Sequence, residues 1–142
     1  MIDMVLGIGT DIVEVMRFDS WAQGPESRLL KIFSVSELAQ CRTPHGEYQA
    51  EKLAARFAVK EAFFKALSAT LCNLSYTKHT FSLMFACQHV QINMTEWQVP
   101  VLMVDWPAFE EKIHQILPKL QVHVSLSHEN LMTVGFVVIT KI

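Results

Sequence analysis

Residues 51–68 read EKLAARFAVKEAFFKALS and carry the strongest helical pattern in the chain. Apolar side chains recur there at steps of three and four residues, the spacing of one face of an α-helix. The side chains that set this spacing are Leu53, Phe57, Phe64 and Leu67. We therefore predict a long central helix from about Gln49 to Ser68.

Charged residues form two stripes on this helix. Glu61 and Lys65 lie four residues apart, and Arg56 and Lys60 form a neighbouring basic stripe. A Glu–Lys pair at this spacing is usually a surface ion pair that stabilises a helix by about 0.2–0.5 kcal/mol, and a basic stripe usually faces solvent. A functional interpretation therefore needs a partner from elsewhere in the chain.

The segment from Met4 to Val15 is predicted to be a strand because it is rich in β-forming residues. Gly7, Gly9 and Asp11 alternate onto one face. Leu6, Ile8 and Ile12 alternate onto the other. Paired glycines in a strand usually indicate a bulge or a close backbone neighbour, and beside Asp11 they could also let a ligand approach the backbone.

Asp11 and Glu61 together offer the carboxylate oxygens that Mg²⁺ prefers, and substrate phosphates often complete such a site. Lys65, Lys60 and Arg56 would then offset phosphate charge. His128 lies in the segment Ser125–Glu129, where an imidazole could donate to a phosphate. A turn histidine without any role is the commoner case.

The remaining pattern predicts an α+β fold because helices and strands do not alternate regularly. The arm from Asp19 to Gln40 is predicted to be helical in parts. A second helix is predicted from about Pro107 to Leu117, capped by Asp105, with Phe109, Ile113, Ile116 and Leu117 facing the core. Strands are predicted at Thr80–Phe85, His89–Ile92, Val99–Val104, Val122–Ser127 and Met132–Ile139, the last two joined by a turn at His128–Asn130.

Composition limits the class of protein. The 142 residues, 51% of them apolar, fit one domain over 1–142. We expect a soluble, cytoplasmic protein that does not enter membranes, since no apolar run approaches the ~18 residues of a bilayer span and no secretory signal is present. A net charge of −2 does not favour nucleic-acid binding. The three widely spaced cysteines predict reduced thiols.

Three segments together resemble the signature blocks of holo-acyl-carrier-protein synthases, in that family's order. These are Gly7–Glu14 (GIGTDIVE), Phe57–Ala66 (FAVKEAFFKA) and Val124–Glu129 (VSLSHE). Phe33, Ser34 and Glu37 resemble a shorter motif of the same family. The resemblance implies a 4′-phosphopantetheinyl transferase-like domain with a mixed or antiparallel sheet. It also implies transfer of phosphopantetheine from coenzyme A to a serine of an acyl carrier protein, with release of adenosine 3′,5′-bisphosphate, in support of fatty acid biosynthesis.

Carried over residue by residue, the resemblance implies a role for each candidate. It makes Asp11 and Glu61 the Mg²⁺ ligands and, with Lys65, the catalytic residues. The residues expected to contact coenzyme A are Arg56, Lys60, Lys65 and His128, and those expected to dock the carrier are Arg17 and Arg28. The family is typically a homotrimer with sites between subunits. The general base stays open between a metal-bound water and a nearby carboxylate.

The chain departs from the family after Leu67, where Ser68-Ala69-Thr70 replaces a glycine-containing turn, and before Pro100, where a usual glycine is absent. Two alternatives therefore stay open. One is a metal-dependent nuclease, which the four-residue Glu–Lys spacing on a helix and the acidic net charge disfavour. The other is a non-catalytic subunit that binds coenzyme A or the carrier.

Overall fold

Helices and strands follow one another without regular alternation, which confirms the predicted α+β class. The computed structural model describes residues 4–76 and 81–142. Its elements in chain order are β1 (Met4–Glu14), a 3₁₀ turn (Val15–Phe18), α1 (Asp19–Gln23), α2 (Glu26–Leu29), α3 (Val35–Gln40), α4 (Ala50–Asn73), α5 (Leu83–Gln88), β2 (Val90–Met94), β3 (Pro100–Val104), α6 (Trp106–Ile113), β4 (Leu120–Glu129) and β5 (Met132–Lys141).

The strands form one sheet and one ribbon, both antiparallel. The sheet has the order β1-β5-β4, and β2 pairs with β3 as a separate two-stranded ribbon. In the sheet, Asp11 of β1 lies opposite Gly135 of β5, which lies opposite Leu126 of β4. The predicted hairpin is confirmed, but β4 continues through Glu129, so His128 belongs to the strand rather than to the turn.

Helix α4 packs so closely against the sheet that the two backbones are in contact, and three glycines make this close packing possible. A Cβ on Gly9 would lie 1.9 Å from the Ala62 carbonyl oxygen, and one on Gly7 would lie 2.2 Å from that of Ala66. Gly135 faces the backbone of α4 in the same way. The glycines therefore admit the helix rather than a ligand, and the ligand-approach interpretation of Gly7 and Gly9 is wrong.

The strict alternation expected along β1 is also wrong at its start. The register shifts between Val5 and Gly7, so Leu6 is buried together with Gly7. Beyond this irregularity Ile8 and Ile12 face away from α4 and are 55% and 60% exposed. The outer face of the sheet therefore carries apolar side chains that residues 4–76 and 81–142 do not cover.

Two other elements differ from their predictions. The segment Thr80–Phe85 was predicted to be a strand, and its described part instead begins α5, because the Ser82 hydroxyl accepts a hydrogen bond from the Phe85 N–H as an N-cap; Thr80 lies outside the described residues. Asp105 caps α6 as predicted, but the helix ends at Ile113 and Ile116 is exposed rather than in the core.

Two groups of buried side chains hold these elements together. One lies between α4, the sheet, the β2–β3 ribbon and α6, with Phe63 and Phe109 ring centroids 5.8 Å apart. The other joins α4 to the arm of short helices α1–α3. The cysteines Cys41, Cys72 and Cys87 are free thiols, as predicted. No helix in the described ranges combines the length and the apolar character needed to cross a bilayer.

Candidate active site

Asp11 and Glu61 meet where α4 crosses β1. The close packing at Gly9 brings this part of the helix against the strand, so that Glu61 faces Asp11. The Asp11 side chain is only 10% exposed, and its Oδ1 lies 3.1 Å from the Lys65 Nζ. Lys65 also donates to the Thr10 carbonyl oxygen at 3.0 Å. The structure therefore brings together the three side chains predicted to be catalytic.

The carboxylate of Glu61 is partly buried beside a second acidic side chain. Burial, hydrogen bonding with Asp11 and the Asp11 charge raise the pKa of Glu61 to about 7, against the opposing charges of Lys65 and Arg17. Two acidic groups in contact cannot both ionise easily without a cation. Glu61 is therefore poised to hold a proton near neutral pH, and a metal ion at the two carboxylates would displace it.

The donor atoms fit a hard cation. When Glu61 is ionised it has no proton to donate to Asp11, and Asp11 Oδ2 is then buried without a hydrogen-bond donor among the residues that the structure describes. Such an orphaned oxygen is costly unless a positive partner satisfies it. Over residues 4–76 and 81–142, no three histidine, cysteine or acidic side chains converge to hold a metal. Two protein carboxylates with other ligands from water and substrate are the arrangement that Mg²⁺ commonly uses.

Arg17 lies near this carboxylate pair. Its charge acts on Glu61, and its guanidinium lies over the Phe57 ring at 5.7 Å. Arg28 stands on α2 with its guanidinium stacked on Trp21 at 4.0 Å. Both arginines are exposed, which leaves their charges accessible to a partner.

Arg56 and His128 line a separate cavity of about 480 Å³, whose other walls include Gln40, Lys52 and Gln98. Arg56 is almost fully buried and donates to Gln40 Oε1 at 2.9 Å. Its Nε has no hydrogen-bond partner in the described part of the chain. The cavity therefore combines a held guanidinium with an exposed imidazole, a combination suited to an anionic group.

The structure does not place this cavity beside the carboxylate pair. Asp11 lies on β1 and His128 on β4, with β5 between them. From strand spacing and register, their Cα atoms are about 12 Å apart. The backbone of α4 covers the intervening strand at Gly135. Within one chain the predicted residues thus form two groups.

Lys60 is not available to either group, and its predicted contact with coenzyme A is wrong. It is fully buried, and its Nζ donates to Glu37 Oε1 at 2.7 Å and to the carbonyl oxygens of Ile32 and Cys87. A buried ammonium is retained only where its charge is paired and its donors are satisfied. Lys60 therefore ties α4 to the arm and to α5.

Glu37 is the residue whose structural role the sequence interpretation missed. It accepts from the Ser34 N–H in a capping box at the start of α3, and its other oxygen accepts from the Ile92 N–H. The Ser34-x-x-Glu37 pattern predicts the cap. Nothing local in the sequence indicates that the same carboxylate also pairs with Lys60, 23 residues away.

Comparison with known proteins places this arrangement in a family. The model of the 4′-phosphopantetheinyl transferase superfamily matches residues 7–125. A holo-[acyl-carrier-protein] synthase from Halothermothrix orenii is 32% identical over 139 residues, covering 95% of this chain and 97% of that protein. The chain belongs to the holo-[acyl-carrier-protein] synthase family.

Solved structures of this family share the fold. The holo-[acyl-carrier-protein] synthase of Neisseria meningitidis has a TM-score of 0.70 at 26% identity, covering 96% of this chain and 98% of that one. The ACPS–CoA complex of Chronobacterium ammoniagenes has a TM-score of 0.74 at 20% identity, covering 96% and 97%. The α+β architecture around one long helix is therefore that of the holo-[acyl-carrier-protein] synthases.

The departure of this chain from the family motif changes the end of α4. The helix continues past Ser68 and Thr70 to Asn73, with no glycine turn. The hydroxyls of Ser68 and Thr70 donate to the carbonyl oxygens of Phe64 and Ala66 within the helix. In this structure those hydroxyls therefore satisfy helix carbonyls instead of facing a phosphate.

Proposed function

We propose that this chain transfers the 4′-phosphopantetheine group of coenzyme A to a serine of an apo acyl carrier protein, with release of adenosine 3′,5′-bisphosphate. Its relatives of like length are named holo-[acyl-carrier-protein] synthase, and it belongs to their family. The observation that carries the proposal in this chain is the contact between Asp11 and Glu61, with an orphaned oxygen on Asp11.

Asp11 and Glu61 are the proposed ligands of Mg²⁺. The bound ion would neutralise the pyrophosphate of coenzyme A as charge develops during attack on phosphorus. Lys65 stands beside the same carboxylates and supplies a further positive charge on the solvent side of the site. The residues thus perform positioning and charge stabilisation, which dominate phosphoryl-type transfers.

Arg56 and His128 are proposed to bind the nucleotide end of coenzyme A. The cavity of about 480 Å³ is large enough for a mononucleotide-sized group and opens beside both side chains. The Arg56 Nε is buried without a hydrogen-bond partner in the described part of the chain, so the guanidinium keeps one unsatisfied donor. The cavity wall also carries Lys52 and Glu51, whose opposite charges offset each other, so the positive charge offered to an anion comes from Arg56.

A homotrimer with sites between subunits is the proposed assembly. Asp11 of one group and His128 of the other lie on opposite edge strands of one chain's sheet, so a neighbouring copy is a natural source of the missing half. The uncovered outer face of the sheet, with Ile8, Ile12 and Phe136 exposed, supports burial against another subunit. The number three comes from the family analogy.

Arg17 and Arg28 are the proposed docking residues for the acidic carrier. Each guanidinium lies over an aromatic ring, which limits the freedom of the side chain while leaving its charge exposed. Arg17 also lies close enough to Glu61 to affect it, so a carrier held there would present its serine near the carboxylate pair. We also propose that the protein acts in the cytoplasm, in support of fatty acid biosynthesis.

The direct test mixes the protein with coenzyme A, Mg²⁺ and unmodified carrier, and weighs the carrier by mass spectrometry. A gain of one phosphopantetheine supports the transferase. Binding of coenzyme A without modified carrier would instead favour a non-catalytic subunit. Cleavage of added nucleic acid by the same preparation, abolished by Glu61→Gln, would favour the nuclease.

A further inference from the structure

The Lys65 ammonium occupies the position where a cation would meet Asp11. Its Nζ lies 3.1 Å from Asp11 Oδ1 and 3.0 Å from the Thr10 carbonyl oxygen. Both acceptors are hard oxygens, the kind that bind a divalent cation. In this structure Lys65 is therefore the positive partner of Asp11.

The two members of this pair differ in freedom. The Asp11 side chain is 10% exposed, whereas that of Lys65 is 52% exposed. Lysine carries a compact charge on a flexible four-carbon stem, so it can leave a contact that a buried carboxylate cannot follow. Of the two side chains, the exposed lysine therefore has the room to change its position, and the buried aspartate does not.

The Lys65 ammonium alone does not neutralise both the Asp11 and the Glu61 carboxylates. Asp11 Oδ2 is buried without a partner among the described residues, and Glu61 lies against the same carboxylate. A divalent cation between the two carboxylates would neutralise both, but it would also repel an ammonium held on Oδ1. Metal and Lys65 therefore compete for Asp11.

We propose that Lys65 is a counter-ion switch: it neutralises Asp11 in the metal-free protein, and a divalent cation bound at Asp11 and Glu61 releases it toward the phosphates of coenzyme A. The idea rests on the proposed metal site and substrate. Because coupling between two ligands is reciprocal, the released lysine makes cation binding strengthen coenzyme A binding, and coenzyme A binding strengthen cation binding.

The first test measures cation affinity without substrate. Mn²⁺ is titrated at pH 8.5 into the parent, Lys65→Met and Lys119→Met, with detection by electron paramagnetic resonance. Lys119 is exposed and gives the same change in net charge away from the site. We expect Lys65→Met to bind Mn²⁺ roughly two- to fivefold more tightly, the range for a partly exposed ion pair, and Lys119→Met to match the parent. Equal or weaker binding by Lys65→Met would overturn the switch.

The second test measures the coupling by calorimetric titration of coenzyme A with and without saturating Mn²⁺. The switch predicts that Lys65→Met weakens coenzyme A binding more in the presence of the cation than in its absence. An equal loss under both conditions would mean that Lys65 never changes partners, and the switch would be wrong although the metal site stands. If the parent binds no Mn²⁺, the proposed metal site itself fails, and the switch fails with it.

Discussion

Replacing Lys60 with methionine removes the ammonium that pairs with the buried Glu37 carboxylate. The change leaves a fully buried charge opposite an apolar side chain, and it deprives the Ile32 and Cys87 carbonyl oxygens of their donor. Breaking a buried pair on one side typically costs about 3–5 kcal/mol. The whole free energy of unfolding of a domain is only about 5–15 kcal/mol, so Lys60→Met should be strongly destabilised.

The assay is urea unfolding of the parent, Lys60→Met and Lys65→Met, followed by circular dichroism. Lys65→Met is the matched control, since it makes the same substitution on the same helix at a half-exposed site and should change the free energy of unfolding by less than about 1 kcal/mol. Glu37→Gln combined with Lys60→Met should cost less than the sum of the single changes because the partners are coupled. A Lys60→Met protein of parental stability that has lost coenzyme A affinity would refute this reasoning and restore a phosphate-binding role.

Four further outcomes are expected. Gly9→Ala should lower the free energy of unfolding by about 1–3 kcal/mol or more, because the new methyl group would clash with the Ala62 carbonyl oxygen and push α4 away from β1. Thermal melts measure the change, and an unchanged stability would contradict the close packing. Because the pKa of Glu61 is raised to about 7, Mg²⁺ must displace a proton from Glu61 below that pH. The Mg²⁺ affinity, measured by calorimetry, should therefore rise by up to about tenfold per pH unit from pH 6 to 7 and level off above pH 8. An affinity that does not change with pH would contradict this. By the same raised pKa, the metal-free protein should lose stability as pH rises from about 4.5 through 7, and Mg²⁺ should offset that loss. Arg17→Glu should weaken carrier binding more than coenzyme A binding, and it should make carrier binding less dependent on salt. Both effects are measured by surface plasmon resonance at two ionic strengths. Unchanged carrier affinity would remove Arg17 from the docking surface.

The sequence predicted the elements whose signals are local. The apolar spacing of α4, the cap at Asp105 and the alternating β4 and β5 all carry their pattern within a few residues. The Thr80–Phe85 prediction failed because β-forming residues were overridden by a serine cap and by packing of Phe81 and Phe85 on Phe109. Propensity is a weak prior where tertiary contacts decide.

In the candidate site, too, the sequence predicted some residues correctly and misplaced others. The pairing of Asp11 with Glu61 followed from the resemblance, and the structure shows why these residues meet: Gly7 and Gly9 let the helix approach the strand. The sequence suggested that a second helix charge, Lys60, faces a phosphate, because helical spacing alone does not distinguish a solvent-facing stripe from a buried one. The partner that settles its position, Glu37, comes from a distant helix.

The two-carboxylate metal site is tested by comparing phosphopantetheine transfer by the parent and by Glu61→Gln as Mg²⁺ is varied. Glutamine keeps the shape and helix propensity of glutamate but removes the charge that a hard cation requires. Carrier mass is recorded against time, and thermal melts establish that both proteins are folded. We expect transfer by Glu61→Gln to collapse at every Mg²⁺ concentration, while in melts without Mg²⁺ its melting temperature stays at or above that of the parent. Near-parental turnover with unchanged Mg²⁺ dependence in the folded variant would contradict the two-carboxylate metal site.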